Sequence, residues 1–248
     1  MKIGVIGGAG VRTVIFINGL LKRYKKLNID EVVLYDNNHE KLNVIGKLCR
    51  HVVAREGKDL VVREVYEAVD AIRGMDYIVT TLRVGGDHSR VVDESVALRN
   101  GVIGQETTGV GGFSMAVRTI PVLMDYCELI EKHAPEAWIF NFTNPSGLVT
   151  QALHNAGYHR IIGICDAPSS LKYRMAQKLG VTEEEMDDII AYANSKGIDI
   201  VPCINVPGHM GAILEEFTGF RYKKSYSSIS KSSIDLSNKE AVAFALAL

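Results

Sequence analysis

Residues 2–13, KIGVIGGAGVRT, restrict the fold more than any other stretch. A short apolar strand runs straight into a turn holding Gly7, Gly8 and Gly10, and a helix-periodic segment begins at once. Strand, glycine turn and helix in that order open a βαβ unit. Such a turn sets the helix N-terminus over the carboxyl end of the strand, where unsatisfied amides and the positive dipole end favour an anion. The alternation then continues. Residues 31–35, 60–64, 77–82, 137–142 and 160–165 read as strands, while 13–25, 40–56, 115–132 and 169–179 read as helices.

That order predicts an α/β fold, a doubly wound Rossmann-like parallel sheet. A dinucleotide site in such a sheet needs one glycine for the tight turn and another for close approach of the backbone to pyrophosphate. Gly8 and Gly10 meet those needs, and Thr13 stands where the third glycine of the usual fingerprint falls. Asp36, at the end of the second strand, is placed to accept from the adenine ribose hydroxyls. An acid there favours NAD over NADP, because it repels a 2′-phosphate. The plain alternative is a tight turn beside an unrelated loop aspartate.

Composition narrows the partners. The 248 residues carry a formal net charge of −1, with 47% hydrophobic and 23% charged residues, so there is no basic face for nucleic acid and no acidic tail. No uninterrupted apolar run approaches the ~20 residues of a membrane span, and the N-terminus lacks the features of a signal peptide. Cys49, Cys127, Cys165 and Cys203 are far apart, with no C-x-x-C pair, which suits a reducing compartment. The expectation is a cytoplasmic protein with neither a nucleic acid nor a membrane partner.

Other polar segments follow strand ends, where open α/β sheets bind ligands. Arg83, before Gly85 and Gly86, can pair bidentately with phosphate or can be a solvated surface arginine. The stretch 104–112, GQETTGVGG, reads as a polar glycine-rich loop leading into the helix at Met115. Residues 141–146, NFTNPS, offer amides suited to sugar hydroxyls, although Asn-Pro also forms turns. Cys165-Asp166 could supply a metal ligand and an acid, or Cys165 could be a small buried hydrophobe.

Taken together, GGAGVRT (7–13), Arg83 with VGG (84–86), GVIGQETTGVGGFSMAVRTIP (101–121), NFTNPSG (141–147) and GICDAP (163–168) resemble glycoside hydrolase family 4, in particular its 6-phospho-glucosidases. The resemblance covers roughly residues 1–185 and implies an NAD- and divalent-metal-dependent glycosidase, commonly with Mn²⁺, acting on a phosphorylated sugar. It implies oxidation at the sugar C3, elimination of the aglycone, water addition and re-reduction, with a lean toward the 6-phospho-β-glucosidases. Carried over by motif, Gly8, Gly10, Thr13 and Asp36 would hold NAD, Arg83 and Asn144 the substrate, and Cys165 the metal. Asp166 would be the acid that assists departure of the aglycone.

Past residue 181 the character changes. Residues 182–195 read as a helix opened by Thr182 with acidic residues in its first turn, and Gly197 ends it. A strand at 198–206, a turn at 207–209, a polar loop at 221–233 and a helix from 238 follow. The last helix stops mid-pattern, so the chain is expected to be cut off. The family's Asn-His strand, tyrosine base and helical domain are not recognisable. Residues 184–248 instead resemble a helix–strand unit of glycoside hydrolase family 20, the β-N-acetylhexosaminidases, that is, part of a (β/α)₈ barrel. The expected division is thus an NAD-binding domain at 1–183 and a short, incomplete α/β segment at 184–248, foreign or truncated. His209 could join Cys165 on a metal or be a polar strand-end histidine. The competing readings are an inactive NAD-binding module, a lactate/malate-type NAD dehydrogenase and a hexosaminidase fragment. Self-association is expected if a truncated second domain leaves apolar surface exposed.

Overall fold

The computed structural model describes residues 1–197. The chain divides into two compact units, Met1–Cys165 and Asp166–Leu248, and the second is described as far as 197.

The first unit is a six-stranded, wholly parallel sheet of β1 (Lys2–Ile6), β2 (Glu31–Tyr35), β3 (Val61–Val65), β4 (Tyr77–Thr80), β5 (Trp138–Asn141) and β6 (Ile161–Gly163), in the order β3-β2-β1-β4-β5-β6. The order reverses between β1 and β4, which makes a crevice at their carboxyl ends, the usual ligand position in open α/β sheets. The pairing Ile6↔Thr80 sets those two ends level.

Alternation along the strands divides the core in two. Ile3, Val5, Val32, Leu34 and Val79 point to one face, where α1 (Val11–Leu20) and α2 (His39–Arg55) supply Ile17, Leu42, Ile45 and Cys49. Ile6, Val33, Ile78 and Ile139 point to the other, against Leu123, Cys127 and Ile130 of α4 (Gly109–His133) and Val149 and Leu153 of α5 (Ser146–Asn155). The remaining helix of this unit is α3 (Gly86–Arg99), which packs against α4. The expected doubly wound parallel sheet is therefore the observed fold.

Several elements differ from the sequence expectation. The first helix starts at Val11 and ends at Leu20, and hydrogen-bonded turns carry the chain on to Asn28. The glycine-rich stretch expected as a loop up to Met115 is helical from Gly109. Helices α3 and α5 and a 3₁₀ turn at Ala68–Ala71 were not anticipated.

In the second unit α6 (Ala167–Leu179) and α7 (Glu183–Ser195) pack together, with Ala176 and Met186 buried. The expected cap is present. Thr182 Oγ1 accepts from the Glu185 amide at 3.1 Å, and the Glu185 carboxylate accepts from the Thr182 amide at 2.8 Å. The strand, turn, loop and helix read beyond Gly197 lie outside the described residues, as does most of the segment compared with family 20.

Candidate functional site

Two groups of side chains gather where the strands of the first unit end. The first is built on the β1–α1 turn. The amides of Gly7 and Gly8 donate to the Tyr35 carbonyl at 3.0 and 2.8 Å, tying the turn to the end of β2. A Cβ on Gly8 would stand 3.1 Å from Leu34 Cβ, so the turn lies hard against its neighbour. Gly10 differs: a Cβ there would approach only the Gly7 carbonyl oxygen, at 3.9 Å. None of the described residues crowds that exposed position, so packing does not require a glycine there. The space it leaves lies at the N-terminus of α1, where the Gly10 carbonyl takes the Thr13 amide and the amides of Val11 and Arg12 have no intrahelical acceptors.

Asp36 reaches back to the same turn. Its Oδ2 accepts from the Ala9 amide at 3.1 Å and its Oδ1 from the Asn38 amide at 2.9 Å. A carboxylate offers about four acceptor positions, and two of them remain. Thr13 is 2% exposed, and its hydroxyl has no partner among the described residues. Arg12, exposed on the first turn, lies with its guanidinium carbon 5.2 Å from the centre of the Phe142 ring. The residues of this turn fit a pyrophosphate and an unphosphorylated ribose: an open glycine, unused amides, a helix N-terminus and a carboxylate within reach.

The second group follows β4 and β5. Its base is a buried network in which Asn141 Oδ1 accepts from Thr80 Oγ1 at 2.9 Å and from the Thr143 amide at 3.1 Å. Asn141 Nδ2 donates to Thr150 Oγ1 at 3.0 Å. Asn141 is fully buried, so its amide is spent inside the protein and not on a sugar. Asn144, three residues on, donates from Nδ2 to Glu106 Oε1 at 3.3 Å. The same carboxylate meets Arg83 Nη2 at 3.1 Å and Arg90 Nη1 at 3.2 Å. Glu106 is thus a largely buried hub for two ion pairs and one amide hydrogen bond from three segments. Arg83 also lies 3.4 Å from Asp87, while its Nη1 is buried without a hydrogen-bond partner among the described residues. Arg90 pairs with Glu94 at 2.7 Å. Arg118 braces the loop from behind, donating to the Val84 carbonyl at 3.0 Å and to Asp93 at 2.7 Å.

Glu106, Arg90 and Arg118 were not singled out in the sequence. The available signal lay in α3, where Arg90 and Glu94 are four apart and share a face.

Cys165 shares a cavity with Ser146 and Thr150, which both bond to Asn141 of the second group. It is exposed beyond the end of β6 and lines a cavity of about 440 Å³ with Ser146, Thr150, His154 and Gly163. His154 Nε2 lies 3.2 Å from the Ile161 carbonyl oxygen and is engaged there. Burial pushes the thiols of Cys49 and Cys127 up to about 11 and about 12, so neither presents a thiolate. Among the described residues no group of three or more His, Cys, Asp or Glu side chains is arranged to hold a metal ion. These residues alone do not make a closed metal site. Asp166 is the N-cap of α6 in the second unit, and His209 lies outside the described residues. No described helix is long and apolar enough to cross a membrane.

The sequence model of the family 4 glycosyl hydrolases matches residues 2–181. Over 205 residues the chain is 36% identical to a probable 6-phospho-beta-glucosidase of Bacillus subtilis strain 168, covering 81% of this chain and 46% of that protein. Over 175 residues it is 37% identical to a 6-phospho-beta-glucosidase of Escherichia coli K12, covering 69% of this chain and 39% of that one. The structure of a 6-phospho-beta glucosidase from Thermotoga maritima with manganese, NAD⁺ and glucose-6-phosphate superimposes with a TM-score of 0.69 at 35% identity, covering 74% of this chain and 44% of the other. The chain spans less than half the length of these relatives.

Proposed function

This chain belongs to family 4 of the glycosyl hydrolases, and on that footing we propose that it acts in the hydrolysis of 6-phospho-β-glucosides with NAD⁺ and Mn²⁺. The observation that carries the reading is the pairing of two sites on one sheet: a glycine turn tied to Asp36, and an arginine–asparagine cluster around Glu106. When bound, NAD⁺ supplies a hydride acceptor that is restored at the end of the cycle, and the metal supplies Lewis-acid stabilisation of an oxygen anion.

The chain's own residues have these tasks. The amides of Gly10, Val11 and Arg12 hold pyrophosphate, and Asp36 takes ribose hydroxyls on its two remaining acceptor positions. Its charge turns away a 2′-phosphate. Arg83, Arg90 and Asn144 hold the phosphorylated sugar, and Glu106 fixes the spacing of the two guanidinium groups. Cys165 would contribute one metal ligand, and Asp166, as a carboxylic acid, protonates the departing aglycone oxygen. Cytoplasmic location fits a phosphorylated sugar substrate. Self-association fits the exposed apolar stripe of Val110, Phe113 and Val117 on α4, spaced for one helix face.

The test is release of a chromogenic aglycone from a 6-phospho-β-glucoside by the purified chain. Turnover that needs both NAD⁺ and Mn²⁺, under reducing conditions, supports the reading. No turnover with cofactor bound refutes activity for this chain and favours a cofactor-binding module. Net accumulation of NADH from a hydroxy acid favours a dehydrogenase, and cofactor-free cleavage of an N-acetylglucosaminide favours a hexosaminidase.

A further inference from the structure

Glu106 can gather Arg83, Arg90 and Asn144 only if the loop carrying it keeps one path. Three backbone approaches set that path. A Cβ on Gly104 would stand 2.5 Å from the Glu94 carbonyl oxygen, so the loop lies on α3. A Cβ on Gly111 would stand 2.3 Å from the Gln105 carbonyl oxygen, and one on Gly112 2.5 Å from the Thr107 carbonyl carbon, so the same loop lies on the first turn of α4. What closes it is one side chain. Gln105 Oε1 accepts from the Thr107 and Thr108 amides at 2.5 and 2.7 Å, and from their hydroxyls at 2.9 and 3.2 Å. Thr108, the N-cap of α4, makes no side-chain cap bond of its own. Gln105 therefore satisfies the Thr108 amide, the N-cap donor that the acidic partner of a capping box usually takes.

We propose that Gln105 is a positioning residue for the sugar-phosphate site. Its side-chain oxygen ties the amides on the far side of Glu106, so that the Glu106 carboxylate stays turned toward Arg83, Arg90 and Asn144 and sets their spacing. The proposal rests on the functional reading above for the ligand, but the positioning itself concerns only this chain's residues. Every bond found at the Gln105 side chain ends on its oxygen, so any side chain of similar length with an acceptor oxygen should serve. A glutamate qualifies, and its charge is favourable near a helix N-terminus. A methionine has the length and lacks the oxygen.

The experiment compares the full chain with its Gln105→Glu and Gln105→Met variants. The first readout is the NMR spectrum of the Arg83 and Arg90 guanidinium groups, whose separate Nη signals report restricted rotation when Glu106 holds them. The wild type and Gln105→Glu should show resolved signals, and Gln105→Met averaged ones. The second readout is affinity for glucose 6-phosphate in the presence of NAD⁺. Loss of one cap-type interaction predicts a weakening of about five- to tenfold in Gln105→Met. Gln105→Glu should stay within about twofold of wild type, with NAD⁺ affinity the same in all three. Resolved signals in Gln105→Met, or a Gln105→Glu variant as disturbed as the methionine one, overturns the proposal. A wild type that binds no glucose 6-phosphate overturns the functional reading instead, and the guanidinium signals still decide the role of Gln105.

Discussion

Replacing Asp36 by alanine should cost both stability and cofactor, by amounts that the geometry sets. The carboxylate receives the buried Ala9 amide at 3.1 Å and the exposed Asn38 amide at 2.9 Å. A bond from a buried amide to a charged acceptor contributes about 1.5–3 kcal/mol, and an exposed one about 0.5–1 kcal/mol. The sum of about 2–4 kcal/mol corresponds to a fall in melting temperature of roughly 5–15 °C for a domain of this size. Asp36→Asn keeps one acceptor oxygen and should lose about half of that. The charge itself carries the choice of cofactor. A unit charge about 5 Å from a 2′-phosphate charge repels it by about 1–3 kcal/mol at effective dielectric constants between protein surface and water. Asp36→Asn should therefore erode the preference for NAD over NADP by about five- to a hundredfold. Thermal melts and calorimetric titrations of the three proteins with both cofactors measure these quantities. An Asp36→Ala protein that melts and binds NAD like the wild type, or an Asp36→Asn protein with an unchanged preference, refutes the reasoning.

Two more outcomes concern Asp59 and the cysteines. Asp59 bonds to Lys25 Nζ and to Tyr24 Oη, both at 2.6 Å, and mainly the Lys25 bond holds its carboxyl at about 2 instead of 3.8. Because the folded value is the lower one, this contribution is complete above pH ~4 and is lost as pH falls toward ~2. Denaturant titrations across that range should show a shallower pH dependence for Asp59→Asn, and an identical slope would contradict it. Peptide mapping after iodoacetamide treatment at pH 8 should find Cys165 alkylated and Cys49 and Cys127 untouched, since burial keeps the latter two as thiols. Native labelling of Cys49 would count against that burial.

Where the structure follows local chemistry, the sequence was readable. The β1 strand, its glycine turn and Asp36 could be placed because the signals are contiguous and fixed by backbone geometry. So could the cap at Thr182, where a hydroxyl and an acid three residues later make a self-contained motif. Helix α3 was missed because it has almost no buried stripe: only Ala97 is buried, while Val91, Val92, Val96 and Leu98 are exposed. Helix α5 was hidden by Asn-Pro and Ser-Gly, which are turn formers in isolation. The first turn of α4 looked like a loop because glycine is a poor helix former, and the reason for glycine there is the loop at 105–107 lying on it. Glu106 shows the same limit. Its partners lie 16, 23 and 38 residues away along the chain, at Arg90, Arg83 and Asn144, and no local pattern joins them.

A crystal structure of the chain grown with NAD⁺ probes the heart of the account. Pyrophosphate density is expected over the amides of Gly10, Val11 and Arg12, with the adenosine ribose hydroxyls against Asp36. Cofactor bound elsewhere on the chain, or none at saturating concentration, would contradict it.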